Sequence, residues 1–200
     1  MLDALAAEAS HRGCSTIALV NGDISVRQAA IDRLGALGLP AIAISRLDVG
    51  EGLPDAMLLR GVDMIVFDVE FWRQERRRFR PYILGEALWD NVYASIVVCH
   101  GGLLVNREPL ITHERHQAGG ASPYAEYGHL LATRDRTYFS RWCAYVAHAE
   151  QLRARGGTID EEYALQRAIF RPPGAGETFV DAARAAWWQA RHRFRLPDVF

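Results

Sequence analysis

The sequence predicts an α/β fold: a sheet flanked by helices and continued by a helical C-terminal extension. Three observations carry this. Short β-branched apolar runs at 16–20, 41–45 and 61–68 alternate with stretches of 3.6-residue periodicity, the pattern of a layered α/β protein. Two of these runs end abruptly in polar or acidic residues, at Asn21-Gly22-Asp23 and at Asp68. From Ser122 onward the period is helical throughout, so residues 1–121 form the α/β core and 122–200 a helical extension packed on it.

Each element follows from local pattern. Leu2, Leu5, Ala6 and Ala9 recur at helical spacing, and Gly13 stops that helix. TIALV (16–20) reads as a buried strand entering a tight loop. Ser25 is expected to cap a helix through about Leu37, closed by Gly38 and Pro40. AIAIS (41–45) and GVDMIVFD (61–68) are the next strands. Phe71-Trp72 and the arginines after them suggest a short helix or lid. The helix after Gly85 should turn Leu88, Val92, Ile96 and Cys99 to the core. Strands are expected at 103–106 and 110–113, then helices within 123–155, 159–170 and 178–193, separated by Gly156-Gly157 and Pro172-Pro173-Gly174.

Composition narrows the function classes. The 200 residues are 50% hydrophobic and 24% charged, enough for a core without disulfides. Basic and acidic residues, 23 against 24, nearly cancel, which argues against wholesale binding to nucleic acid. All the basic residues are Arg, the signature of a GC-rich genome. Cys14, Cys99 and Cys143 form no C-x-x-C pair and no disulfide framework, so a reducing cytoplasm is the expected location. The start of the chain lacks the basic and apolar regions of a signal peptide, and no run reaches the ~18 apolar residues of a membrane span.

Three constellations carry chemistry. Asn21-Gly22-Asp23 closes a buried strand, where open α/β sheets bind ligands and a carboxylate can hold a divalent cation; the same tripeptide is also ordinary turn chemistry. Trp89-Asp90-Asn91 opens a helix, and a carboxylate there can serve as general base if its apolar neighbour excludes water. It also suits a first helical turn. His113-Glu114-Arg115-His116 ends an apolar strand, and imidazoles three apart can reach one metal, although the spacing is not the zinc motif H-E-x-x-H. Asp23, Asp90 and at least one of His113 and His116 are expected to converge on one pocket. The arginines between 73 and 80 can grip phosphate or form a solvated face. Dinucleotide, P-loop and serine-hydrolase motifs are absent from the sequence.

In order, IALVNGDI, GVDMIVFD, ILGEALWDN and LLVNREPLITHERH make residues 1–117 resemble GT-A-type nucleotide-sugar glycosyltransferases, in particular a bacterial glycosyltransferase-like group. The resemblance implies a partial Rossmann-like GT-A sheet. It implies donor binding at Asn21 and Asp23, a metal (Mn²⁺ or Mg²⁺) held by Asp23 with His113 or His116, and Asp90 as the acceptor-side base. It also implies a nucleotide-sugar donor and a glycan or small-molecule acceptor. Only one helix precedes the Asn-Gly-Asp strand, where GT-A folds begin strand-helix-strand. A shortened nucleotide site is therefore expected, either completed by a second chain or a longer gene product, or belonging to a fold that has lost transferase function.

Two other readings stay open. One is a metal-dependent phosphoester hydrolase built on Asp23, His113 and His116. The other is a non-catalytic binding or assembly module, for which the shortened nucleotide half and the aromatic-rich tail speak; the tail aromatics fit a helical core as well as a surface for a protein partner or a second copy of the chain.

Overall fold

The computed structural model describes residues 1–50, 54–85, 88–115 and 124–192. It is an α/β architecture with one mixed sheet. The strands are β1 (Thr16–Val20), β2 (Ile24–Val26), β3 (Ala41–Val49), β4 (Ala56–Asp68), β5 (Leu103–Val105) and β6 (Ile111–Glu114). They lie in the order β1-β4-β3-β6-β2, with β5 on the edge of β3. The expected strands at 16–20, 41–45 and 61–68 are neighbours, but their pairings are antiparallel. Among the described residues, parallel pairing is confined to β3 with β5, at Ile42–Ile44, and to β3 with β6, at Leu47–Val49.

The two short strands thus share one edge of a longer one. At the junction between them the β3–β4 register shifts on either side of Ser45. Such an irregularity bends the strand and re-aims its side chains. β3 runs four residues beyond the expected run, and those residues, Arg46 to Val49, are the half-buried ones.

The helices are α1 (Leu2–His11), α2 (Gln28–Leu37), α3 (Val69–Glu75), α4 (Trp89–Cys99), α5 (Ala125–Arg134), α6 (Arg136–Ala154), α7 (Ile159–Ile169) and α8 (Ala175–His192). One core joins Ala30 of α2 to Ile42, Ile44, Met64, Val105 and Ile111. The larger core holds Ala41, Ala43, Ile65 and Phe67 against residues of α1, α3, α4 and α6. Alternate side chains of β3 thus enter different cores, as the period of 2 requires. In α4, Val92, Ala94, Ile96 and Val97 are all fully buried, because the helix packs between the sheet and α6.

The extension is joined to the sheet by a buried polar network. Gln166 of α7 receives the Leu104 N–H at 3.2 Å and donates to the Leu104 carbonyl at 2.9 Å, completing the hydrogen bonding of β5 like an added strand. Beside it Tyr145 donates to Glu162 at 2.6 Å, and Arg153 and Arg107 pair with the same carboxylate. Every buried oxygen of Glu162 therefore has a partner, which burial of a carboxylate requires.

Local expectations fail at two places. Ser25 does not cap a helix: it lies in β2, opposite Thr112 of β6, and α2 starts after Arg27. Strand pairing overrides the capping preference. Leu88 precedes α4 rather than lying on its core face. Gly38 does close α2, with the left-handed φ of 57° that glycine tolerates.

Candidate functional site

Where β3 shifts register, charged side chains cluster on strands that are otherwise apolar. Arg46 and Asp48 are two apart on β3, a spacing that places both on one face. Arg46 Nε donates to Asp48 Oδ1 at 2.7 Å, and its Nη1 donates to Asp63 Oδ2 at 3.1 Å. Asp63 is 4% exposed, and its other oxygen accepts from Asn21 Nδ2 at 2.5 Å. The Asn21 N–H also donates to the Asp63 carbonyl at 3.1 Å, so the residue after β1 is held twice by β4.

The cluster continues toward β6. His113 stands opposite Asp48 in the parallel ladder, and its Nδ1 pairs with Asp48 Oδ1 at 3.0 Å. The other nitrogen, Nε2, lies 3.4 Å from Asp23 Oδ2. The β2–β6 pairing brings this about, because Ile24 is directly opposite His113 and carries Asp23 with it. Asp23 is therefore a partner of His113.

Asp90 enters from above the sheet. Leu88, before α4, has φ of 78°, the one positive φ among the described non-glycine residues. Asp90 follows in the first turn of α4, where Asn91 Nδ2 anchors to the Arg60 carbonyl of β4 at 3.1 Å. Burial pushes the Asp90 carboxyl up to about 7, and the charge of Asp63 adds to this. The backbone N–H groups of Asn91 and Val62 act in the opposite direction. Asp63 is the element common to both halves: it bonds Asn21 and Arg46 and acts electrostatically on Asp90.

Of the residues singled out from sequence, Asn21, Asp23 and His113 thus belong to one connected network, with Asp90 coupled to it through Asp63. His116 lies outside the described residues. Arg46, Asp48 and Asp63 were not anticipated. The available signal was the charge itself, since three ionisable residues interrupting apolar strands require partners. Four of the five arginines at 73–80 are in ion pairs: Arg73 with Glu70, Arg76 with Asp3, Arg78 with Glu75 and Arg80 with Asp135.

Among the described residues, no group of three or more His, Cys, Asp and Glu side chains is arranged to hold a metal. Asp23 and His113 supply two donors. That number fits a hard cation that brings phosphate oxygens and waters as its remaining ligands. It does not fit a closed structural metal site. Asp48 on the far nitrogen of His113 matches the carboxylate that commonly orients a ligating imidazole.

Comparison of the chain with family models, with curated proteins and with solved structures gave no match.

Proposed function

We propose that this protein transfers a sugar from a nucleotide-sugar donor to an acceptor hydroxyl, on a sheet related to part of the Rossmann-like GT-A fold. The observation that carries the reading is the coupling of Asp90, with its proton affinity raised toward neutrality, to the Asn21–Asp63–Arg46 network that leads on to His113 and Asp23. A general base is most effective when its pKa lies near the working pH.

In this reading Asp90 takes the proton of the acceptor hydroxyl as the oxygen forms a bond to the anomeric carbon. The bond from that carbon to the donor diphosphate breaks, and the electron pair leaves with the nucleoside diphosphate. Asp23 and His113, with His116 beyond the described residues, are the residues that would hold Mn²⁺ or Mg²⁺, which when bound neutralises the leaving diphosphate. Asp48 orients the His113 ring, and Asp63 keeps Asn21 and Arg46 beside the donor end of the site. The raised Asp90 favours this over a phosphoester hydrolase, which needs an activated metal-bound water and no separate base.

The test is a thermal-shift screen against UDP-, GDP-, CMP- and dTDP-sugars, each with and without Mn²⁺. Stabilisation by one donor class only with metal is the expected outcome, lost in Asp23→Asn and retained in Asp90→Asn. Absence of stabilisation by every donor would replace the reading with the non-catalytic module.

A further inference from the structure

We infer that this protein has a second site, for an aromatic carboxylate, in a cavity of about 420 Å³ that is walled by aromatic residues of α3, α4 and α5 and includes Arg80 in its lining. The inference goes beyond the transferase reading and does not rest on it, because the described lining shares no residue with the Asp63 network. The volume is in the usual range of small-molecule sites, about 300–1,000 Å³. Residues 79–84, which join α3 to α4 without helix or strand, supply one wall. Tyrosine hydroxyls from both sides fix that segment. Tyr93 donates to the Arg80 carbonyl at 2.6 Å, and Tyr127 donates to the Pro81 carbonyl at 2.9 Å. Tyr82 donates to Asp135 at 3.4 Å. With their hydroxyls committed to the protein, these three tyrosines offer a ligand ring surface.

The lining selects both halves of the ligand. Its rings form a lattice: Phe79 lies 4.9 Å from Tyr93 edge to face and 5.3 Å from Trp72, and Tyr82 lies 5.8 Å from Tyr93. These are the separations at which aromatic pairs attract, so a flat ring entering the cavity finds partners already in position. A rigid ligand also loses little freedom on binding there, unlike a flexible chain. Two charged side chains line the cavity, Asp3 and Arg80. Asp3 is already matched, its Oδ1 accepting from Trp72 Nε1 at 2.9 Å and from Arg76 Nη1 at 3.1 Å. Arg80 is engaged only at Nε, 3.3 Å from Asp135 Oδ1, and its Nη1 and Nη2 have no partner among the described residues. Asp135 is 3% exposed and lies outside the lining, so a ligand meets the guanidinium before the carboxylate behind it. Two N–H groups on one planar fork suit a carboxylate, whereas a cationic ligand would be repelled.

Calorimetric titration of the full chain tests this without any transferase assay. The ligand is 2-naphthoate, compared with its neutral isostere 2-naphthamide and with the cation 2-naphthyltrimethylammonium. The acid should bind at one site with a Kd below about 1 mM, and the amide about tenfold more weakly, for want of the charge-assisted pair. Arg80→Gln should erase that difference, weakening the acid about tenfold and leaving the amide unchanged. Because this change leaves Asp135 buried without its cation, the titration is repeated in the double variant Arg80→Gln/Asp135→Asn, where the acid should bind as weakly. Ile83→Trp, a larger side chain at a lining position, should weaken acid and amide alike. Absence of binding, or equal affinity for acid and amide in the unaltered protein, would overturn the inference. Tighter binding of the trimethylammonium compound would do the same, by making the cavity a cage for cations. Unchanged affinity in Ile83→Trp would place the ligand elsewhere and overturn it as well.

Discussion

Asn21 Nδ2 donates to Asp63 Oδ1 at 2.5 Å, joining residues 42 positions apart and tying the loop after β1 to the irregular middle of β4. Asp63 is buried, and its second oxygen is taken by Arg46, so each partner of this carboxylate compensates part of its desolvation. A double-mutant cycle should expose the coupling. Asn21→Ala and Asp63→Ala should each destabilise the protein by about 1–3 kcal/mol, and the double variant should fall short of their sum by ~1 kcal/mol. Urea unfolding measures all the values; strict additivity would mean that the contact contributes nothing.

Asp90 has a stability signature independent of any substrate. Its carboxyl is raised from 3.8 to about 7 in the folded protein, so between those values the native state holds a proton that the unfolded chain has lost. Its stabilising contribution is thus fully present below the unfolded pKa and is lost as pH rises through the folded pKa. Asp90→Asn removes this dependence. Relative to the variant, the wild type should therefore become progressively less stable from pH 4 to pH 7 (roughly the span of the two pKa values). Paired denaturation curves across that range check the sign.

For turnover, Asp90→Asn should lower kcat by about 10²- to 10⁴-fold with little change in donor affinity. The wild-type rate should fall on the acid side of about pH 7 as Asp90 becomes protonated. Steady-state kinetics with whichever donor the thermal screen finds would decide it. Near-normal turnover in the variant would reduce Asp90 to a residue of the helix start.

Glu162 should be among the costliest positions in the extension. It is 1% exposed and accepts from Tyr145, Arg153 and Arg107. Glu162→Ala strands two half-buried guanidinium groups and should cost ~3–5 kcal/mol. Chemical denaturation gives the value, and a loss below 1 kcal/mol (roughly a surface pair's worth) would show that water replaces the carboxylate.

Gly102 allows β3 and α4 to approach closely. A Cβ there would lie 2.5 Å from the Ala41 carbonyl oxygen and 2.9 Å from that of Val97. Neither backbone group can swing away like a flexible side chain. Gly102→Ala should therefore lower stability by ~1–3 kcal/mol despite the better intrinsic propensity of alanine, a difference read directly as a drop in Tm.

The periodic parts of this protein were legible in its sequence. Apolar runs such as TIALV and AIAIS became strands, and the spacing of Leu2, Leu5, Ala6 and Ala9 became α1, with Leu2, Ala6 and Ala9 on its buried face and Leu5 exposed, because side-chain periodicity and backbone geometry are the same constraint. The core face of α4 was legible at Val92, Ile96 and Cys99, whereas the burial of Tyr93, Ala94 and Val97 beside it came from packing between the sheet and α6. Asn21, Asp23, Asp90 and His113 stood out because polar residues at the ends of apolar segments must lie near the surface or meet partners. Which partners they met was decided by pairing. Parallel alignment of β3 with β6 put Asp48 beside His113, antiparallel alignment of β2 with β6 delivered Asp23 to the same ring, and the shift at Ser45 lies beside Asp63, which meets both Asn21 and Arg46. The use of Ser25 in a strand and of Gln166 as an edge for β5 were likewise tertiary decisions. A local pattern specifies the face a side chain occupies, whereas register between distant strands determines what stands across from it, and register depends on the packing of the whole sheet.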